Sequence, residues 1–234
     1  MTVTVLTGAG ISTESGIPDY RGPRGLWRAD PDQEKLVTYH WYMGDPEIRR
    51  RSWLFRRDSP AWKAEPNAAH HALAALPDAW IVTQNVDGLH QRAGSPQERV
   101  LELHGNMFGA VCTSCGAAST TSEAIERILA GEDDPACHAC GGILKTTTVM
   151  FGQSLDQAVL AGAVEAARGC EVFVVVGTSL QVRPAATLVS IAAEAGARVV
   201  IVNGEPTAYD HMADEVIHDP IGVAVPRLCA SLAG

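Results

Sequence analysis

Four short apolar runs, each closed by a glycine or asparagine turn, constrain the fold of this chain more than any other feature. They are Val3-Thr4-Val5-Leu6, Ala79-Trp80-Ile81-Val82-Thr83, Glu171-Val172-Phe173-Val174-Val175-Val176 and Arg198-Val199-Val200-Ile201-Val202. Strands that are apolar without alternation belong inside a parallel sheet covered on both faces. Ser154 to Gly169 and Pro184 to Ala195 read as helices, Ala-rich and opening on capping or first-turn residues. Strands and helices in alternation imply parallel βαβ units and an α/β, doubly wound, Rossmann-like sheet. The first strand ends in Gly8-Ala9-Gly10. Such a turn brings backbone N–H groups against phosphate, and a Cβ there is expected to block the approach of the ligand. The match to G-x-G-x-x-G is incomplete, because Thr13 stands where the third glycine would be.

Two segments interrupt the alternation. Residues 1–26, 79–110 and 147–234 are expected to form the Rossmann-like, dinucleotide-binding domain. Residues 27–78, richer in Trp, Arg and Pro, read as a helical module. Residues 111–146 hold two Cys-x-x-Cys-Gly knuckles, Cys112 to Gly116 and Cys137 to Gly141, with a short helix from Ser122 to Ala130 between them. Four thiolates so spaced suit one tetrahedral Zn2+ with no open coordination position, hence a structural and not a catalytic ion. A disulfide pair is the alternative, and nothing in the chain points to secretion. The ligands are therefore Cys112, Cys115, Cys137 and Cys140, with His138 as a possible competitor. Each module is too small for a core of its own, and in the second the metal substitutes for one. Cys170 and Cys229 sit in apolar surroundings as buried thiols.

The 234 residues allow one large core plus a small attached module. An apolar content of 46% with 19% charged residues fits a compact chain. A net charge of −9 argues against direct nucleic-acid binding, which needs clustered Lys and Arg. The basic run Arg49-Arg50-Arg51 with Arg56-Arg57 reads as a solvated helix face. Met1 leads almost directly into the first strand, and no apolar run approaches the 18 or so residues that span a membrane, so a cytoplasmic protein with no membrane partner is expected. A monomer is plausible.

Several polar groups punctuate the strand ends. Gln84-Asn85-Val86-Asp87-Gly88-Leu89-His90 leaves the second strand, with Asn and Asp placed for ribose hydroxyls or a carboxamide, or with Asp87 as a helix N-cap. Glu102-Leu103-His104-Gly105 places a histidine whose ordinary pKa near 6.5 suits a general base. His70, His71 and His90 read as helix residues.

Together GAGISTESGIPDYRG (8–22), TQNVDGLH (83–90), ELHG (102–105), VMFGQ (149–153) and GTSL (177–180) resemble, in order, the signatures of the sirtuins, the NAD-dependent protein deacylases, in their short bacterial-type form. The resemblance covers nearly the whole chain. It implies that NAD lies across the C-terminal ends of the strands. Gly8, Ala9, Gly10, Gly177, Thr178 and Ser179 would face its phosphates. Ser12, Gln84, Asn85 and Asp87 would line the ribose and nicotinamide pocket, under a covering loop of Ile17, Asp19, Tyr20, Arg21 and Trp27. Asn203, Gly204 and Glu205 would read the adenosine ribose, and Ile221 would lie beside the adenine. Val149, Phe151 and Gly152, with Val182 opposite, would pair with an acyl-lysine peptide as an added strand. The implied reaction has the acyl oxygen attack the ribose carbon as nicotinamide leaves. His104, with Asn85, is the catalytic group, drawing a proton from a ribose hydroxyl, and the products are free lysine and O-acyl-ADP-ribose.

The acyl group is less defined. Sirtuins that remove succinyl and malonyl groups have a Tyr-x-x-Arg pair, and the corresponding stretch here is Trp53-Leu54-Phe55-Arg56. Trp53 and Arg56 are the acyl-pocket candidates, with Arg56 able to grip a carboxylate. GISTESGIPDYR also resembles the lipoamidase and ADP-ribosyltransferase branch. A plain deacetylase is the leading expectation. Lipoyl or longer-chain removal, succinyl removal and mono-ADP-ribosyl transfer are alternatives, and a noncatalytic NAD sensor is the non-enzyme rival.

Overall fold

The computed structural model describes residues 1–22 and 25–232. Its centre is a six-stranded, wholly parallel sheet of β1 (Val3–Thr7), β2 (Trp80–Thr83), β3 (Val100–Glu102), β7 (Val172–Val176), β8 (Arg198–Val202) and β9 (Glu215–Ile217). The order is β3-β2-β1-β7-β8-β9. The chain runs outward from β1 to β3 on one side, then resumes from β7 on the other. The order therefore reverses between β1 and β7, where a doubly wound sheet opens its ligand crevice.

All four apolar runs are strands of this sheet, and alternation within them supplies two cores. Val3, Val5, Val172, Val174 and Val200 point to one face, against α4 (Ala68–Ala74) and α9 (Ile221–Leu232). Leu6, Phe173, Val175, Val199 and Ile201 point to the other, against α7 (Gln157–Gly169) and α8 (Thr187–Glu194). The packing of Ala69 and Leu73 into the first core means that α4 serves the large sheet, although it lies within the 27–78 stretch grouped as a separate helical module.

Helix starts differ from expectation for local reasons. α7 begins at Gln157 and not at Ser154, because the Asp156 carboxylate accepts from the N–H groups of Ala158 (2.8 Å) and Val159 (3.1 Å). α8 begins at Thr187, since the Pro184 carbonyl is occupied by the N–H and hydroxyl of Thr187 in a preceding turn. α6 (Thr121–Leu129) begins one residue early on a Thr120–Glu123 capping box.

The second sheet has three short antiparallel strands, β4 (Gly109–Cys112), β5 (Ala118–Thr120) and β6 (Leu144–Thr146), in the order β5-β4-β6. The remaining helices are α1 (Leu26–Ala29), α2 (Tyr39–Gly44), α3 (Pro46–Arg57) and α5 (Leu89–Arg92). α3 fastens the helical segment to the small sheet. Arg49, almost fully buried, pairs with Asp134 at 2.8 Å and donates to the carbonyls of Tyr42 and Met43. The reading of 49–57 as a solvated face holds for Arg50 and Arg57, which pair with neighbouring acids along the surface, and fails for Arg49 and Arg56. Among the described residues no helix is long and apolar enough to cross a membrane.

Candidate functional site

A cleft of about 1050 Å³ opens at the C-terminal ends of β1, β2, β7 and β8. Two glycine turns form its floor. Gly8 donates to the Val176 carbonyl (3.0 Å) and Gly10 to the Gly177 carbonyl (2.8 Å), so the turns after β1 and β7 are laced together. A Cβ on Gly8 would lie 2.5 Å from Thr178 Cβ, and one on Gly10 would lie 2.8 Å from the Gly177 backbone. The expected reason for these glycines was ligand approach. The structure gives another: the two turns touch each other, and side chains would force them apart. Gly177 itself has φ +62, a left-handed conformation that favours glycine.

Above this floor a polar network fixes the groups that follow β2. Asn85 Nδ2 donates to the Gly8 carbonyl and to Ser12 Oγ, both at 3.1 Å. Ser12 in turn donates to Asp87 Oδ2 at 2.7 Å. Asp87 also accepts from the Leu89 N–H at 3.0 Å, so it is a network member that holds the first residue of α5, although the N-cap position itself is Gly88. Burial raises the Asp87 pKa, and the Leu89 and Ser12 bonds oppose the rise. Gln84 Nε2 donates to Thr178 Oγ1 at 3.0 Å, tying the two halves of the sheet together.

His104 follows β3. Its Nδ1 lies 2.9 Å from the Gln84 carbonyl oxygen, an acceptor, so Nδ1 holds the proton and Nε2 keeps a free lone pair. Burial lowers the His104 pKa while the bond to Gln84 raises it in part, leaving the ring neutral at pH 7. A neutral imidazole of fixed tautomer lining a cleft can accept a proton at Nε2.

The covering segment follows the 3-10 turn Ala9–Ser15. Its side chains stack: the Arg21 guanidinium lies 4.4 Å from the centre of the Trp27 ring and 5.9 Å from that of Phe151, and Tyr20 packs on Trp27 at 5.0 Å. Burial raises the Tyr20 phenol pKa, with nearby Arg56 opposing. At the far end Asn203 Nδ2 donates to the Glu205 carbonyl at 2.7 Å, and Gly204 and Ile221 line the cleft beside it. Every residue the resemblance assigned to NAD lines this one cleft. Two groups there escaped the sequence reading. His218 Nδ1 lies 2.7 Å from the Asn203 carbonyl oxygen, and Glu14 accepts from the Gly222 N–H at 2.9 Å, latching the first turn to the start of α9. Both pairings join residues too distant in sequence for any local pattern to reveal.

Val149, Phe151, Gly152, Val182 and Arg56 share the cleft with these groups. The segment is pinned from behind: Val149 N–H donates to the His104 carbonyl (2.8 Å) and Phe151 N–H to the Val37 carbonyl (2.9 Å). Trp53 is a correction. It is 1% exposed, does not line the cleft and packs with Ala110, Ala124 and Leu144 in the core of the small sheet. Trp and Arg at i and i+3 on α3 diverge because the helix is wedged between two surroundings. Arg56 Nε donates to Thr146 Oγ1 at 3.1 Å, and among the described residues no acid pairs with it. Burial lowers its pKa from the usual guanidinium value.

The four knuckle sulfurs converge. All lie within 4.8 Å of one another, with Cys112–Cys140 at 3.6 Å and Cys115–Cys137 at 3.7 Å. A tetrahedron with Zn–S bonds near 2.3 Å has S···S edges of about 3.8 Å. Gly116 (φ +74) and Gly141 (φ +72) turn the chain after each second cysteine. The Cys115 and Ser114 N–H groups pull the Cys112 thiol down to about 6. At Cys140 the Gly142 N–H also favours thiolate, yet the neighbouring sulfurs push the thiol up to about 12. Negative sulfurs crowded together oppose one another until a cation joins them. The donor set fits structural Zn2+, and His138 is not part of it.

Sheet order, glycine turns and the closed cysteine site define a doubly wound α/β protein with a cleft at its switch point and a structural zinc module. A sequence profile of the Sir2 family matches residues 8–184, and the chain belongs to that family. It is 62% identical over 234 residues to NAD-dependent protein deacetylase 2 of Streptomyces coelicolor, covering 98% of this chain and 97% of that one. It is 45% identical to NAD-dependent protein deacylase 2 of Archaeoglobus fulgidus, covering 96% and 88%. A solved Sir2 structure with deacetylated p53 peptide and 3′-O-acetyl-ADP-ribose superposes with a TM-score of 0.90 at 34% identity, covering 98% of this chain and 93% of that one.

Proposed function

We propose that this protein is an NAD-dependent protein-lysine deacylase, with acetyl-lysine peptides as its leading substrates and nicotinamide and O-acyl-ADP-ribose as products. The observation that supports it best is His104, neutral, with Nδ1 committed to the Gln84 carbonyl and Nε2 open as a base. NAD supplies the reactive ribose carbon when bound. Gly8, Gly10, Gly177 and Ser179 would hold its phosphates, and Asn203 and Glu205 its adenosine ribose. Asn85, Ser12 and Asp87 would orient the nicotinamide end, and the Tyr20–Arg21–Trp27 stack would exclude water from it. His104 Nε2 would take a proton from a ribose hydroxyl. The peptide would lie between the 149–152 segment and Val182. The alternative of a noncatalytic NAD sensor leaves a cleft-lining, tautomer-fixed base without a task.

The test is nicotinamide release with acetyl-, succinyl- and lipoyl-lysine peptides, with mass spectrometry of the products. Acetyl-peptide-dependent release with O-acetyl-ADP-ribose is expected, and His104→Ala should lower turnover by about 10²–10⁴ while NAD still binds. Turnover retained in that variant would remove the base assignment. ADP-ribose on protein without peptide-dependent release would replace deacylation by transfer. Arg56 favours a second reading, removal of acidic acyl groups, because it is a cleft-lining cation without an acidic partner among the described residues. In that case Arg56→Met lowers succinyl-peptide turnover far more than acetyl-peptide turnover.

A further inference from the structure

Behind the cleft lies a buried polar chain to which no role has been assigned. Thr7 and Thr83 end adjacent strands and stand opposite each other in the parallel register of β1 and β2. Thr7 Oγ1 donates to Thr83 Oγ1 at 2.8 Å, and Thr83 Oγ1 accepts from the Asn85 N–H at 3.0 Å. His90 Nε2, on α5, lies 3.0 Å from Thr7 Oγ1. All three side chains are buried. The chain closes into a ring, for Asn85 donates to Ser12, Ser12 donates to Asp87, and Asp87 accepts from the N–H of Leu89, the first residue of the helix that bears His90.

The tautomers follow from donors and acceptors. With Thr7 donating to Thr83, its oxygen accepts, so His90 Nε2 holds the proton and Nδ1 is a lone pair. His70 packs edge-on against His90 with ring centres 5.0 Å apart. His70 Nδ1 accepts from the Asn67 N–H at 3.3 Å, so its Nε2 holds the proton. Asn67 also donates to the Ile11 carbonyl and Ser15 Oγ, which belong to the Ala9–Ser15 turn that carries Ser12. The two ring nitrogens without partners, His70 Nε2 and His90 Nδ1, are thus a donor and an acceptor on neighbouring rings. Burial lowers the His70 pKa to about 4 and that of His90 to about 3, so both rings are neutral in the working range. Two imidazoles in an apolar setting are costly compared with hydrocarbon of equal size, and a polar task accounts for them better than packing does.

We propose that His90 is a positioning residue for Asn85, holding it through the hydroxyls of Thr7 and Thr83. The strand ends alone fix one side of the 84–88 loop. His90 draws α5 onto β1 and thereby fixes the other, so the Asn85 carboxamide and the Asp87 carboxylate meet the reacting end of NAD in one orientation. The inference rests on the deacylase reading.

The test uses the full, zinc-loaded protein and measures kcat and KM for nicotinamide release from NAD with an acetyl-lysine peptide, alongside NAD affinity by calorimetry. Thr7→Val removes the central hydroxyl at nearly constant shape, so it leaves folding intact even if His90→Phe does not. Expected are a fall in kcat of about tenfold or more for Thr7→Val and for His90→Phe, with NAD affinity retained. The double variant should lose no more than the worse single one, because one chain is broken in both. His90→Gln, which keeps an N–H at similar reach, should recover most of the rate. Wild-type kcat in Thr7→Val, or losses that multiply in the double variant, would overturn the proposal. Wild-type turnover in the same assay separates that outcome from failure of the deacylase reading.

Discussion

The two sheets of this molecule are held together by different physics. The large sheet spreads its stability along β1, β7 and β8, five-residue strands flanked on both edges and filled on both faces by separate cores. The small sheet has strands of three or four residues and a core of six buried side chains, two of them the zinc-ligand cysteines Cys112 and Cys137. A unit of that size rarely folds on apolar burial alone. Its free energy is concentrated at one ion, whereas that of the large sheet is distributed over many valines. The largest expected effect breaks this contrast directly. Cys115→Ser should abolish stoichiometric zinc, release Trp53 from its buried site and remove deacylation, while the parallel sheet still unfolds cooperatively at higher temperature. Metal analysis, tryptophan fluorescence and circular dichroism read the three parts. Structural zinc contributes on the order of 10 kcal/mol in small modules, so retention of a native Trp53 signal without metal would mean that the small core stands by itself.

The contrast also decides what the sequence reveals. Valine runs and glycine turns announce the large sheet because each strand's burial is written into its own residues. Cysteine spacing announces the zinc site because four ligands of one ion tolerate few geometries. Trp53 was misread while Arg56, three residues on, does line the cleft, since i,i+3 spacing on a helix says nothing about what surrounds it. Arg49 finds Asp134, and Glu14 finds Gly222, across distances that no local pattern spans. Gly8 and Gly10 were recognised as required, but the atoms that require them belong to Gly177 and Thr178. The site residues were legible through motif resemblance. Their positioning partners Thr7, Thr83 and His90 were not, because a buried threonine looks like any other strand residue.

A smaller effect sharpens the comparison through pH. His70 and His90 belong to the large region, and burial keeps their pKa values at about 4 and about 3 in the fold against about 6.5 unfolded. Well above pH 6.5 both states are neutral and the pair adds no pH dependence. Below it the unfolded chain binds protons that the fold refuses, so stability falls with pH until the folded values are reached. Between pH 7 and 5 each histidine should cost about 2 kcal/mol. His90→Gln should therefore flatten the decline of thermal stability over that window by roughly half. Parallel curves for variant and wild type would assign the acid sensitivity to the zinc site, where protons compete with the metal for the thiolates.

The smallest effect asks whether the two regions unfold as one. Asp156 caps α7 against the large sheet and Thr120 caps α6 over the small one, each with side-chain acceptance from backbone N–H groups. Replacing either by Ala removes about 1 kcal/mol of local stabilisation. Equal local losses should have unequal consequences. α7 is built into the core around Phe173, so Asp156→Ala should lower the global unfolding free energy by the full amount. α6 covers a module expected to open before the large sheet does, so Thr120→Ala should speed amide exchange in residues 118–129 about fivefold and leave the exchange of β7 and β8 unchanged. Equal acceleration in both places by Thr120→Ala would show that opening the small sheet already requires opening the large one. The zinc ion would then stabilise the whole molecule and not a module attached to it.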